Sequence, residues 1–263
     1  MAMERVSNYV KLCEEWAEKV LAMDEDDLLR RVPELHRTDK YLEITHFGIH
    51  YGISRKDGRI VILKDVGCTD DQERTDICGK KNSETNICLR QKKAKMNSIV
   101  ENQEEDRCLE SNRKPNVTAM LNIYTLLGYA KEGAFLMNKW VPFAELRGAR
   151  PFGPAYKIGV TDVFAATFSG HLKELHAACK RLGGTPLPQG DAGYQIDAFA
   201  CEPMQFYFWD CDDEFAAQAN ILFDYSATDF NHVESAVSTA EEGVRRLAEE
   251  AGVPVRGRHF QMR

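Results

Sequence analysis

The chemistry this sequence can offer is concentrated in its last third, where Asp213 and Glu214 follow a run of aromatic residues and His232 lies a short way beyond. Two carboxylates with an imidazole suit general acid–base catalysis, or the holding of a hard cation, provided that they converge within a few ångströms. Asp191, Tyr194, Asp197, Trp209 and Asp224 sit on neighbouring segments whose ends would have to meet for that to happen. Asp213, Glu214 and His232 are therefore the candidate catalytic residues. Trp140, Tyr194 and Trp209 supply rings on which a cofactor can stack, and Arg147 supplies a guanidinium for an anion, so these four are the candidate cofactor-binding residues. Each group has a structural alternative. Asp212 or Asp213 can cap a short helix at "EFAAQA", and Arg147 can pair on the surface with Glu145 or Asp162.

Soft ligands form a second group. The chain has eight cysteines, none in a Cys-x-x-Cys pair. Four of them, Cys68, Cys78, Cys88 and Cys108, fall in a charged stretch from about Gly67 to Asn116. That stretch is poor in aromatic residues and cannot bury enough apolar area to offset the entropy of ordering it. A zinc ion or an iron–sulfur cluster held by the four thiolates would supply the missing folding free energy. Their spacing, with nine, nine and nineteen intervening residues, matches none of the tight pairs that preorganise such sites. A disordered or partner-binding loop with incidental thiols is the competing reading. His46 and His50 are four apart, a metal-ligand spacing on a helix. On a strand they share a face but lie about 13 Å apart, too far to grip one ion.

These side chains need a scaffold, and the pattern between them describes one. Tyr9, Leu12, Cys13, Trp16, Val20 and Leu21 recur at helical spacing behind an N-cap at Ser7. "YLEITHFGIHYGISRKDGRIVIL" alternates and contains an Asp-Gly turn signal, which predicts a hairpin over about Tyr41–Leu63. "VTAMLNIYTLLGYA" is apolar on nearly every side and reads as a buried helix. "NKWVPFAELRGARPFGPAYKIG", with its prolines and aromatic residues, reads as an ordered crossing. Helices are expected from about Val160 to Phe168 and over "HLKELHAACKRL", the latter ended by Gly183 and Gly184. "DAGYQIDAFA" alternates as a strand, Glu202-Pro203 marks a turn, and Met204–Trp209 is the return strand. With Phe206 and Phe208 on one face and Tyr207 and Trp209 on the other, that strand should be central or covered on both sides. "NILFDYSA" reads as a third strand, and His232 opens an amphipathic helix over Val233–Ala251. The fold class is α+β, with an antiparallel or mixed sheet and helices packed around it. One main domain is expected from residues 1–66 and 117–263, interrupted by a polar insertion at 67–116.

Composition removes several functions. A chain of 263 residues with 43% hydrophobic content can bury a substantial core. The opening "MAMERVSNYVKLCEEW" offers no uninterrupted apolar stretch for a signal peptide or membrane span, which places the protein in the cytoplasm. A net charge of −7 argues against general nucleic-acid binding, which needs a basic face. Phosphate loops, dinucleotide fingerprints, Gly-x-Ser-x-Gly elbows and paired-histidine zinc motifs are all missing. The glycine-rich "LGGTPLPQGDAG" leads into a strand, so no helix N-terminus awaits a phosphate there.

"KWVPFAELRGA", "FGPAY", "GDAGYQIDAF", "FWDCDDEFAAQANILFDYSA" and the terminal helix together resemble the prokaryotic family known as domain of unknown function 3786, over about Tyr41–Val66 and Val117–Ala251. No activity comes with that family. What the resemblance implies is a context in anaerobic bacteria and archaea, in one-carbon or corrinoid metabolism, because some members are joined to a four-cysteine iron–sulfur domain of the kind found in corrinoid proteins. The inserted cysteines of this chain do not show that domain's spacing. Two classes of function follow. The first is an accessory protein that recognises a cofactor, such as a corrinoid, or a protein partner, through an aromatic-lined cleft beside the acids. The second is an enzyme built on the carboxylate–histidine group, with or without a metal.

Overall fold

Alternating residues from Tyr41 onward give a four-stranded antiparallel sheet in the order β1 (His36–Arg37), β2 (Tyr41–His46), β3 (Ile49–Ser54) and β4 (Ile60–Ile62). The computed structural model describes residues 8–64 and 110–257, so the expected N-cap Ser7 and the inserted Cys68, Cys78, Cys88 and Cys108 lie outside the described residues. The single hairpin expected over Tyr41–Leu63 is divided by a two-residue turn at Phe47 and Gly48, with φ of 44° and 72°. Two successive positive φ values match the twist of the flanking strands. A phenylalanine rarely adopts them, so no turn signal was readable there. The division also corrects the geometry of the histidines. His46 pairs with Ile49 and His50 with Thr45, so the two imidazoles project from opposite faces, and His50 faces Glu43 at 3.2 Å.

The Asp-Gly turn forms as expected, between β3 and β4. Gly58 has φ of 70°, and a Cβ there would lie 2.3 Å from the Ala17 carbonyl oxygen, so only glycine lets this turn abut α1 (Asn8–Leu21). α2 (Glu25–Arg31) is capped by Asp24, whose Oδ1 accepts the Asp27 amide at 2.7 Å. After the insertion comes α3 (Val117–Tyr129), capped by Asn116, whose Oδ1 accepts the Ala119 amide at 2.8 Å.

A five-stranded antiparallel sheet follows, in the order β5 (Trp140–Pro142), β9 (Gln218–Asp224), β8 (Glu202–Trp209), β7 (Ala192–Phe199), β6 (Thr185–Leu187). β8 is the central strand, as its rings imply. Two expectations need correction here. Trp140–Pro142 is an edge strand, where a proline costs no ladder bond, and not part of a crossing segment. Glu202 and Pro203 begin β8, while the turn lies at Ala200 and Cys201.

Helices cover one face of this sheet. A helical run from Gly153 to Phe168 holds α4 (Gly153–Tyr156), a π-type turn over Lys157–Thr161 and α5 (Asp162–Phe168). α6 (Leu172–Arg181), α7 (Ala227–Phe230) and α8 (Val233–Ala251) complete the layer. Phe164 of α5 sits 6.0 Å from Phe206 and 5.9 Å from Phe208. The other face of β8 is more polar. The buried Tyr207 hydroxyl donates to Gln205 Oε1 at 2.7 Å, and Trp209 at the strand's end is 41% exposed. Among the described residues no helix is long and apolar enough to cross a membrane.

The turn between β2 and β3 docks on the end of β7. Both Phe47 N (2.9 Å) and His46 Nδ1 (3.0 Å) donate to the Ala198 carbonyl, at the point where β7 bulges between Asp197 and Phe199. A carbonyl only accepts, so Nδ1 carries the proton. Nε2 is then left to accept from Asn122 Nδ2 of α3 at 3.3 Å, and Asn122 Oδ1 accepts the hydroxyl of Ser238 on α8. The His46 ring stacks on Phe199 at 4.3 Å. Close by, a Cβ on Gly243 of α8 would lie 2.7 Å from Phe206 Cζ and 2.9 Å from Phe47 Cζ.

Burial pushes the His46 imidazole down to about 4 from its ordinary 6.5, against the opposing pull of the Glu242 carboxylate. In the unfolded chain His46 takes up its proton near 6.5, so the stability it permits above that pH is lost as the pH falls to about 4. Denaturation curves taken across this window should record that loss, with a shallower fall in His46→Gln than in the parent. An identical fall in the two proteins would contradict a neutral, buried imidazole.

Candidate functional site

The expected catalytic set is divided between the two ends of the five-stranded sheet. β9 runs from Gln218, paired with Trp209, to Asp224, paired with Trp140, and these ends lie about 20 Å apart. Asp213 and Glu214 are exposed in the loop that leaves β8 at the Trp209 end. His232 follows the Asp224 end, where its Nδ1 accepts the Glu234 amide at 3.3 Å as the N-cap of α8 and its ring lies 5.4 Å from Tyr129. The acid pair and the imidazole do not converge.

Backbone amides occupy the other acids at the Trp209 end. Asp191 Oδ2 accepts the Asp210 amide at 2.8 Å, and Asp210 Oδ1 accepts those of Gly170 and Cys211 at 2.9 and 2.8 Å. Asp212 Oδ1 accepts the amides of Glu214 and Phe215 at 2.9 and 2.7 Å, which hold its carboxyl below the usual range. This local turn replaces the helix expected at "EFAAQA", because a side chain that takes those amides offers the backbone an alternative to helical bonds. The carboxylates of Asp213 and Glu214 make no hydrogen bond or ion pair among the described residues.

The expected cofactor residues are equally dispersed. Trp140 and Trp209 mark opposite ends of the sheet. Tyr194 is buried, with its hydroxyl 2.9 Å from His176 Nδ1. Arg147 pairs with Asp229 and lies 6.0 Å from the Tyr225 ring. Neither Glu145 nor Asp162 is its partner, and Asp162 is held by Lys157 at 2.6 Å. Among the described residues no group of three or more His, Cys, Asp or Glu side chains could hold a metal ion.

What the chain does build is an open cleft of about 800 Å³ between α1, β4, α3 and residues 110–115, within the range that accepts a small-molecule ligand. The Tyr124 hydroxyl of α3 donates to the Gly58 carbonyl at 2.9 Å, tying the β3–β4 turn to that helix. The Ser111 amide donates to the Ile62 carbonyl at 2.8 Å, tying the returning chain to β4. Ala17, Ile60, Met120 and Tyr124 give the cleft apolar surface, while Glu14, Glu18, Arg113 and Lys114 give it charge of both signs. Cys13 also lines it. Burial, reinforced by the Glu14 carboxylate, raises its thiol above the ordinary value, which makes it a neutral packing group and a poor nucleophile. The sequence pattern shows α1 only as a helix and places residues 110–115 in the polar insertion. Segments this far apart in the chain carry no spacing that could signal a shared cleft.

The family described as a domain of unknown function (DUF3786) matches residues 94–246, more than half of the chain. The chain belongs to this family. The match begins within the stretch that the sequence resemblance left out, so it takes in Cys108 and residues 110–115. It does not reach β1–β4, part of which that resemblance had included. No curated protein and no solved structure matches the chain. In this DUF3786 protein the cleft therefore has one wall, α3 and residues 110–115, inside the matched range, and the other, α1 and β4, outside it.

Asp213→Asn and Glu214→Gln should each change unfolding free energy by no more than about 0.5 kcal/mol. Asp224→Ala, which strands the Met137 and Ser226 donors, should cost about 2 kcal/mol or more. Chemical denaturation distinguishes these values, and a large loss in Asp213→Asn would mean that its carboxylate is structural after all.

Proposed function

We propose that this DUF3786 protein is a cytoplasmic accessory protein that binds a small-molecule cofactor or a protein segment in the cleft between α1, β4 and α3. The observation that carries this reading is a contrast: a cleft of ligand size stands apart from an acid pair and an imidazole at opposite ends of a sheet. Apolar surface edged by both signs of charge suits an amphipathic ligand, which gains from burial and from oriented polar contacts. The context we assign, anaerobic metabolism linked to corrinoids or iron–sulfur clusters, rests on the family resemblance. Zinc or iron–sulfur binding by Cys68, Cys78, Cys88 and Cys108 belongs to the same proposal.

The test is purification of the full chain without oxygen, followed by an absorption spectrum, elemental analysis for iron, zinc and cobalt, and titration with cobalamin followed by tryptophan fluorescence. A bound chromophore or saturable binding is expected, weakened at least tenfold in Met120→Arg, which places a charged side chain in the cleft. Binding unaffected by that substitution would move the site elsewhere. A turnover lost in Asp213→Asn at unchanged melting temperature would replace the accessory role with catalysis.

A further inference from the structure

At the corner where β8 begins and β9 ends, a small, largely enclosed cavity lies among Glu202, Asp224, Asn231 and Thr239. It leaves about 10 Å³ for the centre of a water molecule, room for about one. The four side chains are 7%, 2%, 4% and 1% exposed. Each brings to this corner an atom with no hydrogen-bond partner among the described residues: Glu202 Oε1, Asp224 Oδ2, Asn231 Nδ2 and Thr239 Oγ1. A single buried orphan of this kind costs about 1–3 kcal/mol, and folded proteins leave few of them. The other side-chain oxygens of Asp224 and Asn231 are committed. Asp224 Oδ1 accepts the amides of Ser226 at 2.9 Å and Met137 at 3.0 Å, together with the Ser226 hydroxyl. Asn231 Oδ1 accepts the His232 amide at 3.0 Å, which identifies Nδ2 as the free end.

The chemistry of the four atoms selects the guest. A carboxyl that can donate, a carboxylate that accepts, an amide N–H that donates and a hydroxyl oxygen that can accept complement a molecule with two hydrogens to give and two lone pairs to fill. A metal ion would meet the hydrogens of Asn231 Nδ2 head-on. We propose that this cavity binds a single water molecule that bridges the Glu202 and Asp224 carboxyl groups and is held from the other side by Asn231 and Thr239. The charged and titratable groups around Glu202 are Asp224 on β9, Asp197 on β7, Cys201 in the β7–β8 turn and Glu34. The Glu34 carboxylate accepts the Ala200 and Cys201 amides at 2.7 and 2.9 Å. Burial, reinforced by Glu34, pushes Glu202 up to about 8. Asn231 pulls the other way, although it falls short of hydrogen-bond geometry. Burial also works to raise Asp224, but the Ser226 and Met137 donors hold it below the usual range. At neutral pH the pair therefore carries one proton and one charge. Glu202 donates to the water, and the water donates to Asp224.

A high-resolution crystal structure of the full chain, native and soaked in thallium(I), tests the site. One light-atom peak within hydrogen-bond distance of the four atoms, with no anomalous signal, is expected. A thallium peak, an empty cavity or a direct Glu202–Asp224 hydrogen bond would overturn the proposal. A second measurement reads the shared proton. An unfolded glutamate ionises near 4.5 and the folded Glu202 near 8, so the contribution of Glu202 to wild-type stability falls as the pH rises between these values and then levels off, opposite in sign to that of His46. Glu202→Gln, neutral throughout, should abolish that fall while keeping the density. An unchanged fall would mean that Glu202 does not hold the proton.

Discussion

One carbonyl oxygen joins the two sheets of this protein. Ala198, at the end of β7, accepts from both the Phe47 amide and the His46 imidazole. Through His46 the same point reaches Asn122 on α3 and Ser238 on α8. The arrangement works only with a neutral imidazole, because a second proton on Nε2 would face the Asn122 amide donor in a site where both side chains are fully buried. Packing reinforces it. Phe47 and Phe206, from different sheets, close on Gly243, where there is no room for a Cβ. Each fully buried ring contributes about 1.5–3 kcal/mol, and these contacts form only if the β2–β3 turn is seated on β7.

The cleft depends on the same joint. One of its walls comes from α1 and β4 and the other from α3 and residues 110–115, and only the second lies in the range shared with DUF3786. Seating the small sheet on β7 and α3 sets the distance between those walls. The acids that stand out in the sequence serve a different purpose. Asp191, Asp210 and Asp212 each accept backbone amides and shape the loops at one rim of the large sheet. Buried carboxyls at the opposite rim surround a water-sized space.

Much of this was legible in local pattern. Three- and four-residue spacing located α1, α3 and α8, and two-residue alternation located β7 and β8, because those periods report burial directly. His232 caps the helix it was expected to open. The Phe47–Gly48 turn was not legible, because tertiary burial of the ring stabilises a backbone conformation that phenylalanine disfavours on its own. "EFAAQA" has helical composition, yet Asp212 takes the amides that would have begun a helix. Convergence of side chains was beyond reach for a more general reason. Asp213 and His232 are close in sequence, but antiparallel β9 between them carries the chain the length of the sheet, and only strand order reveals that.

The Ala198 joint makes the two sheets one cooperative unit, and native-state hydrogen exchange measured amide by amide tests this most directly. The amides of β3 and β8 should open with the same free energy in the parent protein. A β3 that exchanges at a distinctly lower free energy while β8 stays protected would show that the small sheet unfolds by itself and that the joint does not bind the two together.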